Sequence, residues 1–214
     1  MNLLSATRSR AAGSGWSPTR KLLASLAVLG AAASIAGVGT FATFTSSTST
    51  SHTVSSGTVT IALGATGAST NRLNIGATAI APGDTIQRSV DLINSGSLDL
   101  ASITLTTTAT ASSLLDTDAV NGLQMVIDKC SVAWTEAGPP YTYTCSGATS
   151  SVLASRAVIG STLGLTNLGS TTAGTTDHLR VTLTLPGAAG NTFQNQSSTI
   201  SYAFTGTQRT ATSK

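Results

Sequence analysis

Short stretches of alternating polar and apolar residues recur along most of this chain, separated by turn-forming residues. Residues 58–63 (TVTIAL) alternate as a half-buried strand does, because side chains two apart share one face. Residues 73–80 form a second short candidate. The turn Ala81-Pro82-Gly83-Asp84 follows, and residues 85–93 (TIQRSVDLI) resume with Ile86, Val90 and Leu92 as the inward positions. Asn94-Ser95-Gly96-Ser97 turns the chain into residues 100–108 (LASITLTTT), where Ile103 and Leu105 share a face. Residues 123–130 (LQMVIDKC) start another strand, and residues 141–145 are expected to pair back onto the segment around 132–134. Residues 179–185 (LRVTLTL) alternate without a break, with Leu179, Val181, Leu183 and Leu185 inward. Residues 198–204 (STISYAF) end the series with Ile200, Tyr202 and Phe204 on one side. Helical periodicity is confined to an N-terminal apolar stretch and, briefly, to residues 112–116. Strands separated by Gly/Ser/Pro turns predict an all-β fold, an antiparallel jelly-roll-like β-sandwich over residues 58–208 with a disordered tail at 209–214.

The apolar stretch is the exception to the pattern. Residues 22–44 read LLASLAVLGAAASIAGVGTFATF without a charge, and Arg20 and Lys21 stand just before it. Positive residues there keep that end cytoplasmic while the rest is threaded outward. Two readings stand: a cleaved signal peptide over residues 1–43, or a permanent anchor long enough to span a bilayer. Small residues at its end place the signal-peptidase region at Ala42, Thr43 and Phe44. Both readings put the domain outside the cytoplasm, with membrane contact only through an uncleaved leader. Residues 44–57 are Ser/Thr-rich and expected to be extended.

Charge changes little once the leader is set aside. Only 9% of residues are charged and the formal net charge is +3, but Arg8, Arg10, Arg20 and Lys21 precede the apolar stretch. The remainder holds seven basic residues against eight acidic ones, a net of −1. No basic patch remains to neutralise a run of phosphates, which excludes nucleic acid as the expected partner.

Cys130 and Cys145 frame the segment SVAWTEAGPPYTYT, in which Gly138-Pro139-Pro140 is a turn between strand-like flanks. Such a hairpin brings its ends together and predicts a disulfide, with free thiols or half of a metal site as the alternatives. Closing a loop of that size stabilises a fold by about 3 kcal/mol in the chain-entropy picture. A structural zinc site is poorly served by two cysteines and two histidines.

Catalytic patterns are sparse. His52 lies in the Ser/Thr tract and His178 begins a strand. The sequence has no H-E-x-x-H, no G-x-S-x-G elbow and no phosphate-binding G-x-x-x-x-G-K. A Ser/His/Asp triad assembled in space around His178 is left open. Asp116, Asp118 and Asn121 place three oxygen donors close together, as calcium requires. The EF-hand pattern nevertheless fails, because Ile127 stands where the bidentate Glu belongs. A polar turn is the preferred reading. Asn195-Gln196-Ser197 is a formal glycosylation sequon. No enzyme and no cofactor is expected from these residues.

A set of ordered motifs resembles the TasA/camelysin family. Gly37-Val38-Gly39-Thr40-Phe41-Ala42-Thr43-Phe44 followed by Ser56-Gly57-Thr58-Val59 resembles that family's leader junction and first strand. Pro82-Gly83-Asp84-Thr85 and Asn94-Ser95-Gly96-Ser97-Leu98 resemble its P-G-D and N-x-G-S/D-L elements. Asn191-Thr192-Phe193-Gln194-Asn195, then Ser201-Tyr202-Ala203-Phe204 and Thr207-Gln208, resemble its closing strand. The resemblance implies a jelly roll that builds extracellular fibres when the freed N-terminal segment of one subunit enters the sheet of the next. The donor would run from Phe44 to about Thr53, with Phe44, Thr45 and Val54 marking the strand. The implied partners are further copies of the chain and a signal peptidase during export. The alternatives are a disordered linker at the same place, a monomeric surface adhesin or ligand-binding domain, and a secreted metallopeptidase of the kind the camelysin name suggests. The Cys130–Cys145 hairpin departs from the family's pattern.

Overall fold

The computed structural model describes residues 56–212, together with Thr19. Its strands are β1 (Ile61–Leu63), β2 (Thr85–Asn94), β3 (Leu100–Ala111), β4 (Gln124–Cys130), β5 (Thr135–Ala137), β6 (Thr142–Thr144), β7 (Thr149–Ala157), β8 (Gly160–Gly164), β9 (Thr176–Thr184) and β10 (Thr199–Gln208). One helical turn, α1 (Leu114–Thr117), links β3 to β4. The strands form a five-stranded sheet in the order β1-β2-β9-β4-β7, a three-stranded sheet β10-β3-β8, and the hairpin β5-β6. All pairings are antiparallel. The fold is an all-β sandwich.

Alternation produces the two layers. In β2, Val90 and Leu92 are fully buried while Asp91 between them reaches the outer face; in β9, Leu179 and Val181 are buried and flank Arg180. Met125 and Ile127 of β4 add to this inner face. Leu100, Ile103 and Leu105 of β3 meet it from the smaller sheet. Side chains two apart on a strand share a side, so one register serves the whole core.

The smaller sheet is chemically unusual. β3, β8 and β10 contain no charged residue. Along its outer side Ser102, Thr104, Thr106 and Thr108 stand opposite Thr207, Thr205, Ala203 and Ser201.

The strands expected from alternation are present at β2, β3, β4, β9 and β10. Residues 73–80 are a correction: they form no strand and run as an irregular strap. The guanidinium of Arg88 donates to the carbonyls of Ile75 (2.6 Å) and Gly76 (2.7 Å), so a side chain serves backbone groups that a ladder would otherwise pair. The Cys130–Cys145 hairpin pairs Thr135 with Thr144, one step beyond the expected segment around 132–134, because Trp134 turns onto the large sheet. β7 and β8 have no counterpart in the alternation, since Ser, Ala and Gly dominate them. The N-terminal apolar helix, the cleavage region Ala42, Thr43 and Phe44, the donor residues Thr45 and Val54, and His52 lie outside the described residues. Among the described residues no helix is long and apolar enough to cross a membrane.

Leu105 is fully buried between the sheets at the centre of β3. Leu105→Ala is expected to destabilise the domain by about 3 kcal/mol, read as a lower denaturant midpoint with an unchanged slope.

Candidate functional site

Five strands face three, and the mismatch leaves one side of the sandwich open. There a groove of about 790 Å³ lies between the start of β10 and the β2/β9 part of the large sheet. Ile75 and Ile80 of the strap, Ile86 of β2, Leu183 of β9, Phe193 and Tyr202 are among its walls. Tyr202 is half-buried in β10, and desolvation pushes its hydroxyl up to about 12. β10 itself pairs with β3 on one side only. Across its far end Gly206 permits close approach, for a Cβ there would lie 2.4 Å from Cδ1 of Ile61.

Turn chemistry fixes the ends of β2 and the loop that borders the groove. Gly83 adopts φ +95°, and Asp84 closes the turn by accepting the Ala81 N–H at 2.7 Å. That turn docks on the end of β9 through Gly83 N–H to the Leu185 carbonyl at 2.8 Å. At the next turn Asn94 is fully buried; its Oδ1 accepts the Gly96 N–H and its Nδ2 donates to the Leu98 carbonyl. A short 3-10 turn at Asn191–Phe193 buries Phe193 and leads to Asn195, which takes φ +58° at the groove's edge. The loop is then tied to α1: Asp116 caps it from Ser113 N–H (2.7 Å) and also accepts the Ser198 hydroxyl at 2.5 Å.

Opposite the groove, the hairpin lies over the outer face of the large sheet. Cys130 and Cys145 are joined as a disulfide with their Cα atoms 5.7 Å apart. Tyr143 is buried beneath the hairpin and donates its hydroxyl to Glu136 at 2.9 Å. Glu136 accepts two guanidinium bonds from Arg72, at 2.6 and 2.9 Å, which hold its carboxyl below the usual range. Arg180 lies 4.5 Å from the Trp134 ring centre and bonds across strands to Asp128 at 2.9 Å. The ring of Tyr141 is shared by two cations, Arg72 at 5.1 Å and Arg88 at 5.2 Å.

The remaining sequence candidates do not converge. Asp116 serves α1, whereas Asp118 accepts from the Val120 and Asn121 N–H groups at 2.9 Å each. The three calcium candidates thus form two separate backbone caps. His178 sits on the outer face of β9 with Nδ1 2.7 Å from Asp91, and Trp134 donates to its carbonyl. Among the described residues no serine hydroxyl meets that ring, and no three His, Cys, Asp or Glu side chains come together as a ligand set.

A sequence profile described as Camelysin metallo-endopeptidase matches residues 19–213. The chain belongs to the camelysin family. No curated relative matches it. The matched range takes in the P-G-D turn, the Asn94 turn and the closing strand. TasA/camelysin proteins are extracellular or surface-associated, in keeping with a chain that carries a disulfide. The described donor groups of this camelysin-family chain do not fit the metal that the profile's description implies. Glu136, Asp128 and Asp177 are each committed to a cation, and His178 is committed to Asp91.

Asp177 is the most deeply placed of these acids. Its side chain accepts Gly169 N–H (3.0 Å) and Ser170 N–H (2.7 Å) and pairs with Lys129 Nζ at 3.1 Å. Burial pushes its pKa up, but these bonds outweigh burial and hold it below the ordinary value. The ionised form therefore stabilises the fold above the unfolded pKa, near 3.9, and that contribution fades as pH falls through the depressed folded value. Asp177→Ala is expected to lose about 3 kcal/mol at pH 7. The gap to the wild type should narrow below about pH 4, measured by urea unfolding across that range.

Proposed function

We propose that this chain is an exported, non-enzymatic structural subunit that polymerises by strand donation. The leader is removed near Ala42, Thr43 and Phe44, and the freed segment from Phe44 to about Thr53 adds to the sheet of the next copy. One observation carries the reading: β10 is ten residues long, free of proline and charge, and paired along one side only. Natural sheets guard such edges with lysine, proline, bulges or brevity; in β10 register shifts are confined to its two ends, between Thr199 and Ile200 and between Thr207 and Gln208. Beside this edge lies a groove of mixed character, with apolar walls at Ile75, Ile80, Ile86 and Leu183, able to take the alternate side chains of an incoming strand. Backbone bonds to β10 would supply affinity, and the groove would supply register. The family match supports the extracellular setting in which such assembly takes place.

Electron microscopy of the exported protein, after N-terminal sequencing, tests the proposal. A new N-terminus near Phe44 is expected, with filaments whose growth depends on concentration. Deleting residues 44–53 should abolish them, and Ala203→Lys on β10 should slow growth at least about tenfold, equivalent to about 1.4 kcal/mol per added subunit. Filaments that persist without residues 44–53, or a wild type that stays monomeric at high concentration, would sink strand donation.

A further inference from the structure

The disulfide hairpin and the groove lie on different sides of the large sheet, yet a continuous set of contacts joins them. Tyr141 follows the turn at the hairpin's tip and offers its ring to Arg72 and Arg88. Arg88 belongs to β2, on the strand's inner side near the uncovered part of its edge. Beyond that edge its guanidinium donates from Nε to the Ile75 carbonyl and from Nη2 to the Gly76 carbonyl. Those two carbonyls belong to the strap, and Ile75 is a wall of the groove. Arg72, at the strap's root, is held by Glu136 of β5 and donates in turn to the Gly67 carbonyl. Arg88 thus touches the hairpin on one side and the strap's backbone on the other, while Arg72 ties the hairpin to the Gly67 turn and its carbonyl anchors the strap's first turn through Ile75 N–H.

Leu73 and Ile80 anchor the two ends of the strap on the core, but its backbone between them has few other partners. It has no ladder, and Ala79 adopts φ +54°. Ile75 N–H bonds only locally, to the Arg72 carbonyl. Its tip, from Gly76 to Ala79, is exposed. A guanidinium suits the task better than an ammonium, since its planar fork reaches two carbonyls while its face stacks on a ring.

We infer that the Cys130–Cys145 hairpin is a clamp that acts through Tyr141 and the Arg72/Arg88 pair to hold the strap, keeping the groove formed for an incoming strand. This rests on the strand-donation reading for its consequence but not for the coupling itself. A preformed apolar wall spares the incoming segment the cost of ordering the strap. Since the hairpin is closed by a disulfide, the acceptor would be completed in an oxidising compartment and not before export.

Thermolysin cleavage of the folded, exported protein reads the coupling directly, because Leu73, Ile75 and Ile80 in the strap are sites for a protease that cuts beside large aliphatic residues. Cleavage of a locally opened segment follows the population of its open form. The wild type is expected to resist, Tyr141→Phe to match it, and Tyr141→Ala to be cut within residues 73–80 at least about tenfold faster while the remaining chain stays intact. Rapid strap cleavage in the wild type, or equal rates in Tyr141→Ala and wild type, would overturn the clamp. If Tyr141→Ala is degraded throughout, Arg88→Lys decides: selective strap cleavage upholds the clamp, and an unchanged rate removes it. Filament growth measured on the same samples separates the two ideas. Strap release without filaments from any sample leaves the clamp and removes strand donation; wild-type filaments with an indifferent strap do the reverse.

Discussion

A five-stranded sheet presents an inner apolar face that only three strands are available to cover. Most of the other features answer this imbalance. Val90, Leu92, Leu179, Val181, Met125 and Ile127 need an apolar partner layer, and β3 supplies its centre with Ile103 and Leu105. Toward β7 the short β8 closes the layer. Toward β2 the start of β10 stands off the large sheet, so loops must cover the gap: the strap from one side and the segment after Phe193 from the other. Loops cover with side chains but leave strand edges unpaired, and so an apolar groove and a free edge on β10 arise together.

Charge is deployed in keeping with this arrangement. The ion pairs Arg72–Glu136 and Arg180–Asp128 and the His178–Asp91 contact gather on the hairpin and the outer side of the large sheet. There they fasten a covering element to a surface by cross-strand and stacking contacts. The buried exception, Lys129–Asp177, is satisfied by backbone N–H groups as well as by its cation, which is what makes a deeply placed carboxylate tolerable. The open side of the sandwich shares in none of this except Arg88, whose charge is spent on carbonyls of the strap.

Much of this was legible in the sequence. Residues 85–93 and 179–185 alternate because one face of each is buried, and they became β2 and β9 with the expected inward positions. Gly138-Pro139-Pro140 between two cysteines was enough to indicate a covalently closed hairpin. Other elements were illegible for stated reasons. β7 and β8 contain mostly small residues (Ser, Thr, Ala and Gly) and are strands through pairing with β4 and β3, a tertiary effect that outweighs weak local preference. The strap's Leu73, Ile75 and Ile80 imitate a strand, but the decisive partner is Arg88, a residue distant from them in sequence. The groove could not be read at all, because it is a gap between layers and belongs to no single segment. The P-G-D and N-x-G motifs were recognisable in advance; that they fix the turns at the two ends of β2, with Asn94 as a buried turn organiser, required the fold.

The uncharged smaller sheet has a consequence for the setting in which the protein works. No side chain in β3, β8 or β10 ionises below the Tyr202 hydroxyl, which is pushed up to about 12, and Tyr202 points inward. The hydroxyl-rich outer surface of that sheet therefore presents the same chemistry in acid, in mild alkali, in fresh water and in brine. Dissolved ions have no charge there to screen. Proteins of a family found outside the cell or on its surface cannot choose their medium, and this face is indifferent to it.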